Sequence, residues 1–392
     1  MSDVKHIYLD NSATTKISRE ALDKYNEVST LSFGNPSSLH TMGLIAEKEL
    51  TAARDAVLSS LGERDSTVVF TASGSEANNL AIIGRAFAKE RYKGKGKIIT
   101  TKGEHASVSE PIRKLAEMGF KTAEIPTRDG KIDTDALKQE LTPDVILVSA
   151  MLVNNETGAL YDIAELSKIT RGLSPEALIH VDATQGYLKF PFTKRSLGAD
   201  MITVSSHKIE GPKGVGALVI DNKILKSRGI SPLILGGGQE GGLRSGTENV
   251  PAIAAFGVAV KVGMRDLHEN EKKLSELRSY LIKRLRGDGL FAGISITEPE
   301  KSAPHILNIS LPKIKSETAL HYLSSLGIYV SSGSACSSNS NHSSPALIAY
   351  GKSAEEIDSA IRISFSPENE MSDVDALCDG LASAVKRLVR KR

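Results

Sequence analysis

The stretch Met201-Ile202-Thr203-Val204-Ser205-Ser206-His207-Lys208 joins an apolar run to a polar turn that carries a lysine. A second apolar run, residues 214–220, follows shortly after. Apolar residues at successive positions are typical of strands that are buried on both faces. A lysine at the exit of such a strand, next to hydroxyl and imidazole groups, is placed for Schiff-base chemistry. Most loop lysines are simply solvated, so Lys208 depends on the rest of the chain for support.

Similar apolar runs recur along the first two-thirds of the chain and alternate with helix-like segments. The predicted strands are rich in Val and Ile and cover residues 67–71, 97–101, 145–150, 178–182, 201–205 and 216–220. One intervening helix is predicted over residues 44–61, with Gly62 as its stop. This alternation predicts an α/β fold with a mostly parallel sheet.

The pattern changes after about residue 260. A long polar helix is predicted over residues 264–286, followed by strand-like pieces at 306–311 and 361–365. These elements predict a smaller α+β domain behind the large one.

Composition narrows the function classes. The chain has 392 residues and a net charge of +2, which gives no reason to expect direct nucleic-acid binding. The first residues lack the apolar core of a signal peptide, and no segment approaches the length of a membrane span. Two cysteines exclude a disulfide framework, so we expect a cytoplasmic protein without membrane contact.

The turn Thr71-Ala72-Ser73-Gly74-Ser75-Glu76 follows one predicted strand and opens a helix predicted over residues 77–88. Ser73 and Glu76 have the spacing of a capping box. Gly74 permits close approach of backbone N–H groups to an anion at a helix N-terminus. The segment is therefore either a phosphate cradle or a plain helix cap.

Other strand exits carry further polar groups. Asp182 ends the strand at 178–182 and can pair with a protonated ring nitrogen, and Gln185 can donate to a ring oxygen. His105 and Asn155 each follow another strand and suit ring stacking, proton transfer or hydrogen bonding. Each has a structural alternative as a cap, a turn or a core histidine. Together with Lys208 they form the set that pyridoxal phosphate needs.

A metal site is a weaker interpretation. His105, Asp182 and His207 could form a triad, but no short ligand spacing supports it, so we expect no metal.

The two cysteines lie in different settings. Cys378 stands among Leu377, Leu381 and Val385 in an apolar helical pattern, which predicts a core position. Cys336 lies in the Ser- and Gly-rich run 331–344, which has almost no apolar side chains and is expected to be mobile. Its thiolate would be an available nucleophile.

At this point the residues resemble a known family, the NifS/IscS-type cysteine desulfurases, in class V of the fold-type I aminotransferase superfamily. The resemblance covers essentially the whole chain. Its motifs are Tyr8-Leu9-Asp10-Asn11-Ser12-Ala13-Thr14-Thr15, Phe33-Gly34-Asn35-Pro36-Ser37-Ser38, Gly103-Glu104-His105, Val153-Asn154-Asn155-Glu156-Thr157-Gly158, His180-Val181-Asp182-Ala183-Thr184-Gln185, His207-Lys208, Gly236-Gly237-Gly238-Gln239-Glu240, Arg244-Ser245-Gly246-Thr247-Glu248-Asn249 and Ser331-Ser332-Gly333-Ser334-Ala335-Cys336.

The resemblance implies a fold-type I enzyme with a mostly parallel, seven-stranded-type sheet. It also implies a large cofactor-binding α/β domain at residues 15–260. A small α+β domain of residues 1–14 plus 261–392 would carry the catalytic cysteine loop.

Residue roles follow from the motif positions. The implied cofactor-binding residues are Gly74, Ser75, His105, Asn155, Asp182, Gln185, Ser205, His207, Lys208 and Thr247. Lys208 would bind pyridoxal 5'-phosphate covalently, Asp182 would face the pyridine nitrogen, and His105 would stack on the ring and be catalytic.

The other implied roles concern the second subunit, the substrate and the sulfur. Thr247 would reach the phosphate in the other subunit, which implies a homodimer. Arg362 and Asn155 would bind the substrate, with the guanidinium on its carboxylate. Cys336 would take the sulfur of L-cysteine and leave L-alanine.

The resemblance leaves the sulfur acceptor open. Residues 343–351 match the family pattern loosely, and the chain ends at Arg392 without the longer tail of housekeeping members. An iron–sulfur scaffold and a tRNA-thiolation protein are both candidates, for iron–sulfur cluster assembly or for tRNA and cofactor thiolation. The alternative functions are a selenocysteine lyase, an aminotransferase and a non-catalytic partner-binding homologue.

Overall fold

The computed structural model describes residues 6–88, 96–311, 313–332 and 344–388. Its strands are β1 (Ile7–Tyr8), β2 (Ser66–Thr71), β3 (Lys97–Thr101), β4 (Lys121–Ile125), β5 (Val145–Met151), β6 (Leu178–Asp182), β7 (Met201–Ser205), β8 (Gly216–Asp221), β9 (Ser295–Thr297), β10 (Ile306–Ser310), β11 (Ile328–Tyr329), β12 (Ser331–Ser332) and β13 (Ala360–Ser364).

The α-helices alternate with these strands through the first part of the chain. They are α1 (Arg19–Thr30), α2 (Thr41–Ser60), α3 (Gly74–Ala86), α4 (Ala106–Glu117), α5 (Thr134–Glu140), α6 (Ile163–Leu173), α7 (Lys194–Leu197), α8 (Asn222–Lys226), α9 (Val250–Arg265), α10 (Leu267–Gly287), α11 (Ser316–Ser325), α12 (Pro345–Tyr350), α13 (Ala354–Asp358) and α14 (Met371–Leu388).

The large sheet has seven strands in the order β2-β8-β7-β6-β5-β3-β4. Only β8 runs against the others, pairing antiparallel with both β2 and β7. The predicted α/β fold with a mostly parallel seven-stranded sheet is therefore confirmed. All six predicted strands are present within one residue at each end. The seventh, β4, is an edge strand that the sequence patterns did not predict.

Alternating side chains from the sheet fill two apolar layers. Val68 and Phe70 belong to one buried cluster, and Val69 between them belongs to another. Because successive strand residues point to opposite faces, both faces of the sheet are covered. Helices α1, α2 and α9 pack together in the first layer, and α3 and α4 pack together in the second.

A second, smaller sheet follows in the order β12-β13-β10-β9, with every pair antiparallel. The short strands β1 and β11 pair in parallel beside it. A separate apolar cluster here draws on Ile7 and Leu9 as well as residues 274–381. The division into residues 15–260 and residues 1–14 plus 261–392 stays a prediction.

The predicted helix at 264–286 needs a correction. The structure divides this region at Asp266, which ends α9 and precedes α10. Met264 and Arg265 belong to α9, and its remaining residues form a largely apolar helix that begins after the Asn249 cap. Asp266 adopts φ −100° and ψ 6°, and its carboxylate binds the Arg265 side chain at 2.7 Å. A short polar side chain that bonds locally competes with helix continuation, which explains the break.

Among the described residues, no helix is both long enough and apolar enough to cross a membrane.

Candidate active site

The predicted site residues that directly follow strands meet at the carboxyl end of the large sheet. Strands β3, β5, β6 and β7 are parallel, so their carboxyl ends lie on the same side. Ligands of such sheets bind beyond these ends. The polar groups after these strands therefore line one cleft.

Lys208 lies in the 3-10 turn Ser206–Lys208 directly after β7. Its Nζ donates to the carbonyl oxygen of Ser12 and, at 2.8 Å, to that of Ala13. The Gln185 side chain donates to the same Ser12 oxygen at 3.0 Å. The N-terminal segment thus holds two of the predicted site residues together, a role that the sequence patterns did not reveal.

Asp182 ends β6 and its carboxylate is buried. Oδ2 accepts from Asn78 Nδ2 at 2.8 Å, and Oδ1 accepts from the Thr184 backbone N–H at 3.0 Å. Both donors are neutral. The carboxylate is therefore oriented without an ion pair among the described residues, and its charge is available to a cationic group in the cleft.

The N-terminus of α3 meets β7 at Gly74. A methyl group added at Gly74 would lie 3.2 Å from Thr184 Oγ1 and 3.3 Å from Ser205 Cβ. Ser205 Oγ is buried and has no hydrogen-bond partner in the described part of the chain. Ser73 caps the helix through its side chain, and Ser75 is exposed in the first turn. Free backbone N–H groups, an unpartnered hydroxyl and a glycine together suit an anion such as phosphate.

His105 caps α4 and its ring is accessible in the cleft. Nδ1 lies 2.8 Å from Ser107 Oγ and accepts from the Ser107 backbone N–H at 3.1 Å. The surrounding protein lowers the pKa of this imidazole, with Lys208 acting in the same direction and Asp182 against it. The ring is therefore neutral at pH 7.

His207 stands beside Lys208, with Nδ1 3.2 Å from Thr14 Oγ1. Burial lowers its pKa to about 4, and the charges of Lys208 and Lys213 add to this effect. A neutral His207 can offer a hydrogen bond to an anion from one ring nitrogen but no charge.

Arg362 lies on β13 and reaches across to the large sheet. Its Nη1 donates to the Asn155 carbonyl at 2.9 Å, and its Nη2 pairs with Asp10 Oδ1 at 2.8 Å. Ser331 is the register partner of Arg362 on the neighbouring strand β12.

Cys336 and residues 333–343 of its predicted mobile run fall outside the described residues. The prediction is wrong for the ends of the run, because Ser331 and Ser332 are buried in β12, where they pair with β13, and Ser344 is buried as the N-cap of α12. Thr247 is exposed in the loop before α9. Cys378 is buried in the second apolar cluster, as predicted. Burial raises the pKa of its thiol to about 11.

Two acidic residues of the cleft motifs received no role from the sequence. Glu104 is fully buried and accepts from Thr101 Oγ1 and from the Met151 N–H at 2.8 Å. Burial raises its pKa to about 8. Glu156 accepts from Ser344 Oγ at 2.6 Å, and burial raises its pKa to about 7.

Asn78 and Ser107 were also not predicted from the sequence patterns. Asn78 is buried on α3, on the same helix face as Ile82 and Arg85. A polar residue on the apolar stripe of a helix is the signal that could have identified it.

A separate cavity lies elsewhere in the described part of the chain. It measures about 800 Å³ and is lined mainly by α2, β2 and the segments 225–232 and 240–243, including the pair Arg54 and Glu240. None of the predicted catalytic side chains lines it. Within the described ranges, no three His, Cys, Asp or Glu residues are grouped so as to hold a metal ion.

Comparisons with known proteins agree with this architecture. A sequence model of the family described as aminotransferase class-V matches residues 7–377. A NifS/IcsS protein homolog of Lactobacillus delbrueckii subsp. bulgaricus is 40% identical over 378 residues, which is 94% of each chain. Cysteine desulfurase IscS of Dictyoglomus turgidum is 36% identical over 386 residues, covering 98% of this chain and 95% of the relative.

Solved structures give the same result. A NifS-like protein superposes with a TM-score of 0.90 at 35% identity, covering 97% of this chain and 100% of the other. The structure of SspA in complex with cysteine gives a TM-score of 0.79 at 30% identity, covering 93% and 99%. The fold is therefore that of NifS-like enzymes.

Proposed function

The chain belongs to the class-V aminotransferase family and is a cysteine desulfurase, and on this premise we propose that it moves the sulfur of L-cysteine onto Cys336. The family depends on pyridoxal phosphate. The observation that best supports the proposal is the convergence of Lys208, Asp182 and the Gly74 cradle at one sheet edge, with Arg362 facing them.

The cleft residues fit pyridoxal 5'-phosphate. The phosphate would be held by the α3 N-terminus at Gly74 and Ser75, and by Ser205 and His207. The unpartnered, buried Ser205 hydroxyl beside Gly74 supports this assignment. When bound, the cofactor supplies an electron sink for the pair left on the substrate Cα.

Lys208 has two tasks in this proposal. Its Nζ would hold the cofactor covalently and, once free, would take the proton from the substrate Cα. The Ser12 and Ala13 carbonyls support these tasks because they orient Nζ within the cleft.

The remaining cleft residues orient the reacting groups. Asp182 is assigned to the ring nitrogen, since its buried charge has only neutral hydrogen-bond donors. Gln185 and Asn155 are assigned to the ring oxygen side. His105 would stack on the ring and transfer a proton at the substrate sulfur. Its neutral, accessible imidazole supports both roles.

Arg362 is assigned to the substrate carboxylate, with Asn155 beside it. A guanidinium has five N–H donors, and the contacts with Asn155 and Asp10 use two of them. The remaining donors on its Nη atoms suit a carboxylate.

Cys336 is assigned to the sulfur. Its thiolate attacks the sulfur atom of the substrate, and an S–S bond forms as the C–S bond breaks. The electron pair of the C–S bond stays with the three-carbon product, which takes up a proton and leaves as L-alanine. The carbon gains the electrons that the two sulfurs lose, so no external oxidant is needed. The enzyme keeps a persulfide.

The partners are part of the same proposal. We assign a homodimer in which Thr247 of each copy reaches the other cleft, since Thr247 is exposed here. Exposed Leu31, Phe33 and Leu235 are consistent with a subunit interface. The persulfide would pass to an acceptor protein for iron–sulfur cluster assembly or thiolation, in the cytoplasm.

The direct test is turnover. Purified protein supplied with pyridoxal 5'-phosphate and L-cysteine is expected to form L-alanine, measured by chromatography. Lys208→Ala is expected to form none and to lose the absorption of the covalently bound cofactor. Lys226→Ala, an exposed lysine on α8, is the matched control and should keep full activity. Normal alanine formation by Lys208→Ala would refute the assignment.

A further inference from the structure

A chain of hydrogen bonds links Asp182 and His105, the two side chains assigned to the ring nitrogen and to stacking on the ring. Asp182 Oδ2 accepts from Asn78 Nδ2 at 2.8 Å. The same amide nitrogen donates to Ser107 Oγ, also at 2.8 Å. Ser107 Oγ in turn lies 2.8 Å from His105 Nδ1. Asn78 and Ser107 thus connect β6, α3 and the first turn of α4.

We propose that Asn78 and Ser107 are positioning residues that fix His105 as the tautomer with its proton on Nε2 and tie its orientation to that of Asp182. The inference rests on the proposed function, because it concerns how the His105 imidazole contacts the substrate. The geometry that supports it belongs to the protein alone.

The orientation of the Asn78 amide follows from its partners. An ionised carboxylate only accepts hydrogen bonds, so the amide nitrogen must face Asp182. The same nitrogen has a second proton, which it donates to Ser107 Oγ. The Asn78 oxygen is buried and has no partner in the described chain, so the side chain is held by its two donor bonds.

The tautomer of His105 follows from the Ser107 backbone. A backbone N–H can only donate, and that of Ser107 lies 3.1 Å from His105 Nδ1. Nδ1 is therefore an acceptor. Because Nδ1 is an acceptor, the contact at 2.8 Å requires the single proton of the Ser107 hydroxyl to point at Nδ1, while its oxygen accepts from Asn78. A neutral ring with Nδ1 as acceptor must carry its proton on Nε2.

This arrangement determines which ring nitrogen of His105 faces a substrate. Nδ1 faces the protein, and the accessible ring presents Nε2–H as a hydrogen-bond donor. Protonation of the ring would require Nδ1 to become a donor. It would break the bond from the Ser107 backbone N–H and would force the Ser107 hydroxyl to turn from donor to acceptor. The relay therefore opposes protonation, in the same direction as the pKa lowering by burial and by Lys208 and against the effect of Asp182.

The test uses the free enzyme and the ring ¹⁵N signals of its histidines. His105→Gln identifies the His105 signals by their loss. The wild type is expected to show the Nε2–H tautomer. Ser107→Ala should raise the apparent pKa of His105 by up to about one unit, the size of one hydrogen bond. Ser107→Thr keeps the hydroxyl and should restore the wild-type value. Ser109→Ala, on the same helix but outside the relay, should leave it unchanged.

A double-mutant comparison separates a relay from a local packing effect. Asn78→Ala should raise the pKa of His105 clearly more in the wild-type background than in the Ser107→Ala background, where only the effect of Asn78 through Asp182 remains. A His105 that carries its proton on Nδ1, or an equal effect of Asn78→Ala in both backgrounds, would overturn the proposal. If Asn78→Ala does not fold, the Ser107→Ala and Ser107→Thr pair still decides it. Alanine formation measured in parallel tests the proposed function separately.

Discussion

Two buried carboxylates, Asp182 at the end of β6 and Glu240 beside β2, have opposite surroundings. Glu240 binds the Arg54 guanidinium through both oxygens, at 2.6 and 2.8 Å, and accepts from the Phe70 N–H at 2.9 Å. Asp182 is equally buried but accepts only from an amide and a backbone N–H.

This difference distinguishes a carboxylate with a structural role, Glu240, from one with a functional role, Asp182. The charge of Glu240 is neutralised inside the protein, and Arg54 also donates to the Val68 carbonyl and lies over the Phe70 ring. The charge of Asp182 is oriented but not neutralised by the described residues. A buried charge without a counter-ion is costly, and a cationic ligand such as a pyridinium would supply that counter-ion. The comparison predicts that substitutions at the two sites have different readouts.

The largest effect is expected from Asp182→Asn. The substitution preserves shape but removes the charge, so alanine formation should fall about 10²–10³-fold, as for loss of one preorganised electrostatic partner. Stability of the free enzyme should change by only about 1 kcal/mol, because the variant amide loses one of the two hydrogen bonds from Asn78 and Thr184 but also removes a buried charge that has no counter-ion. Kinetics and denaturant unfolding measure the two effects. Asp55→Asn, at an exposed position on α2, is the control for both. A free enzyme strongly destabilised by Asp182→Asn would show that this carboxylate is structural.

Arg54→Ala is expected to have a smaller effect, and this effect should fall on stability rather than on turnover. It leaves the buried Glu240 carboxylate without its counter-ion, which should lower the free energy of unfolding by about 2–3 kcal/mol, the low end for a partly exposed arginine. Turnover of the folded fraction should stay near the wild-type level. Arg64→Ala, at an exposed position nearby, should change neither quantity. Loss of turnover without loss of stability would contradict the comparison.

Glu104 is a third buried carboxyl group, and it extends the comparison of Glu240 with Asp182. Burial raises its folded pKa to about 8, above the ordinary value of 4.5, so the folded state binds a proton that the unfolded state has released. Stability should therefore fall as pH rises from about 4.5 to 8, with a slope of at most about 1.4 kcal/mol per pH unit from this group. Glu104→Gln keeps an oxygen for Thr101 and Met151 and should remove that slope. Unfolding midpoints from pH 5 to 8 measure it. An unchanged slope in the variant would show that Glu104 is ionised when folded.

The sequence predicted the parts of the fold that depend on buried apolar runs. Strands β5, β6 and β7 were predicted almost to the residue because nearly every side chain in them is buried. Strand β4 escaped because it lies at the edge, and only Ile125 of its residues is buried. Edge strands carry a weak apolar pattern.

The site could be predicted only where a motif pointed to it. Lys208, Asp182 and His105 follow strands, and the parallel topology brings them together. Asn78 and Ser107 could not be predicted from spacing, because their contacts depend on how α3 and α4 pack against β6. The Ser12 and Ala13 carbonyls hold Lys208 through backbone atoms, which leave no trace in residue type.

The most direct test of the central claim is the mass of the cysteine peptides after reaction with L-cysteine. The account predicts one added sulfur on the Cys336 peptide of the wild type, sensitive to reductant, and none in Cys336→Ser. Cys378 is buried and its thiol has a pKa of about 11, so its peptide should stay unmodified. Cys336→Ser should still bind pyridoxal 5'-phosphate, because the cofactor residues lie elsewhere in the chain. Added sulfur on Cys378, or full persulfide formation in Cys336→Ser, would contradict the account.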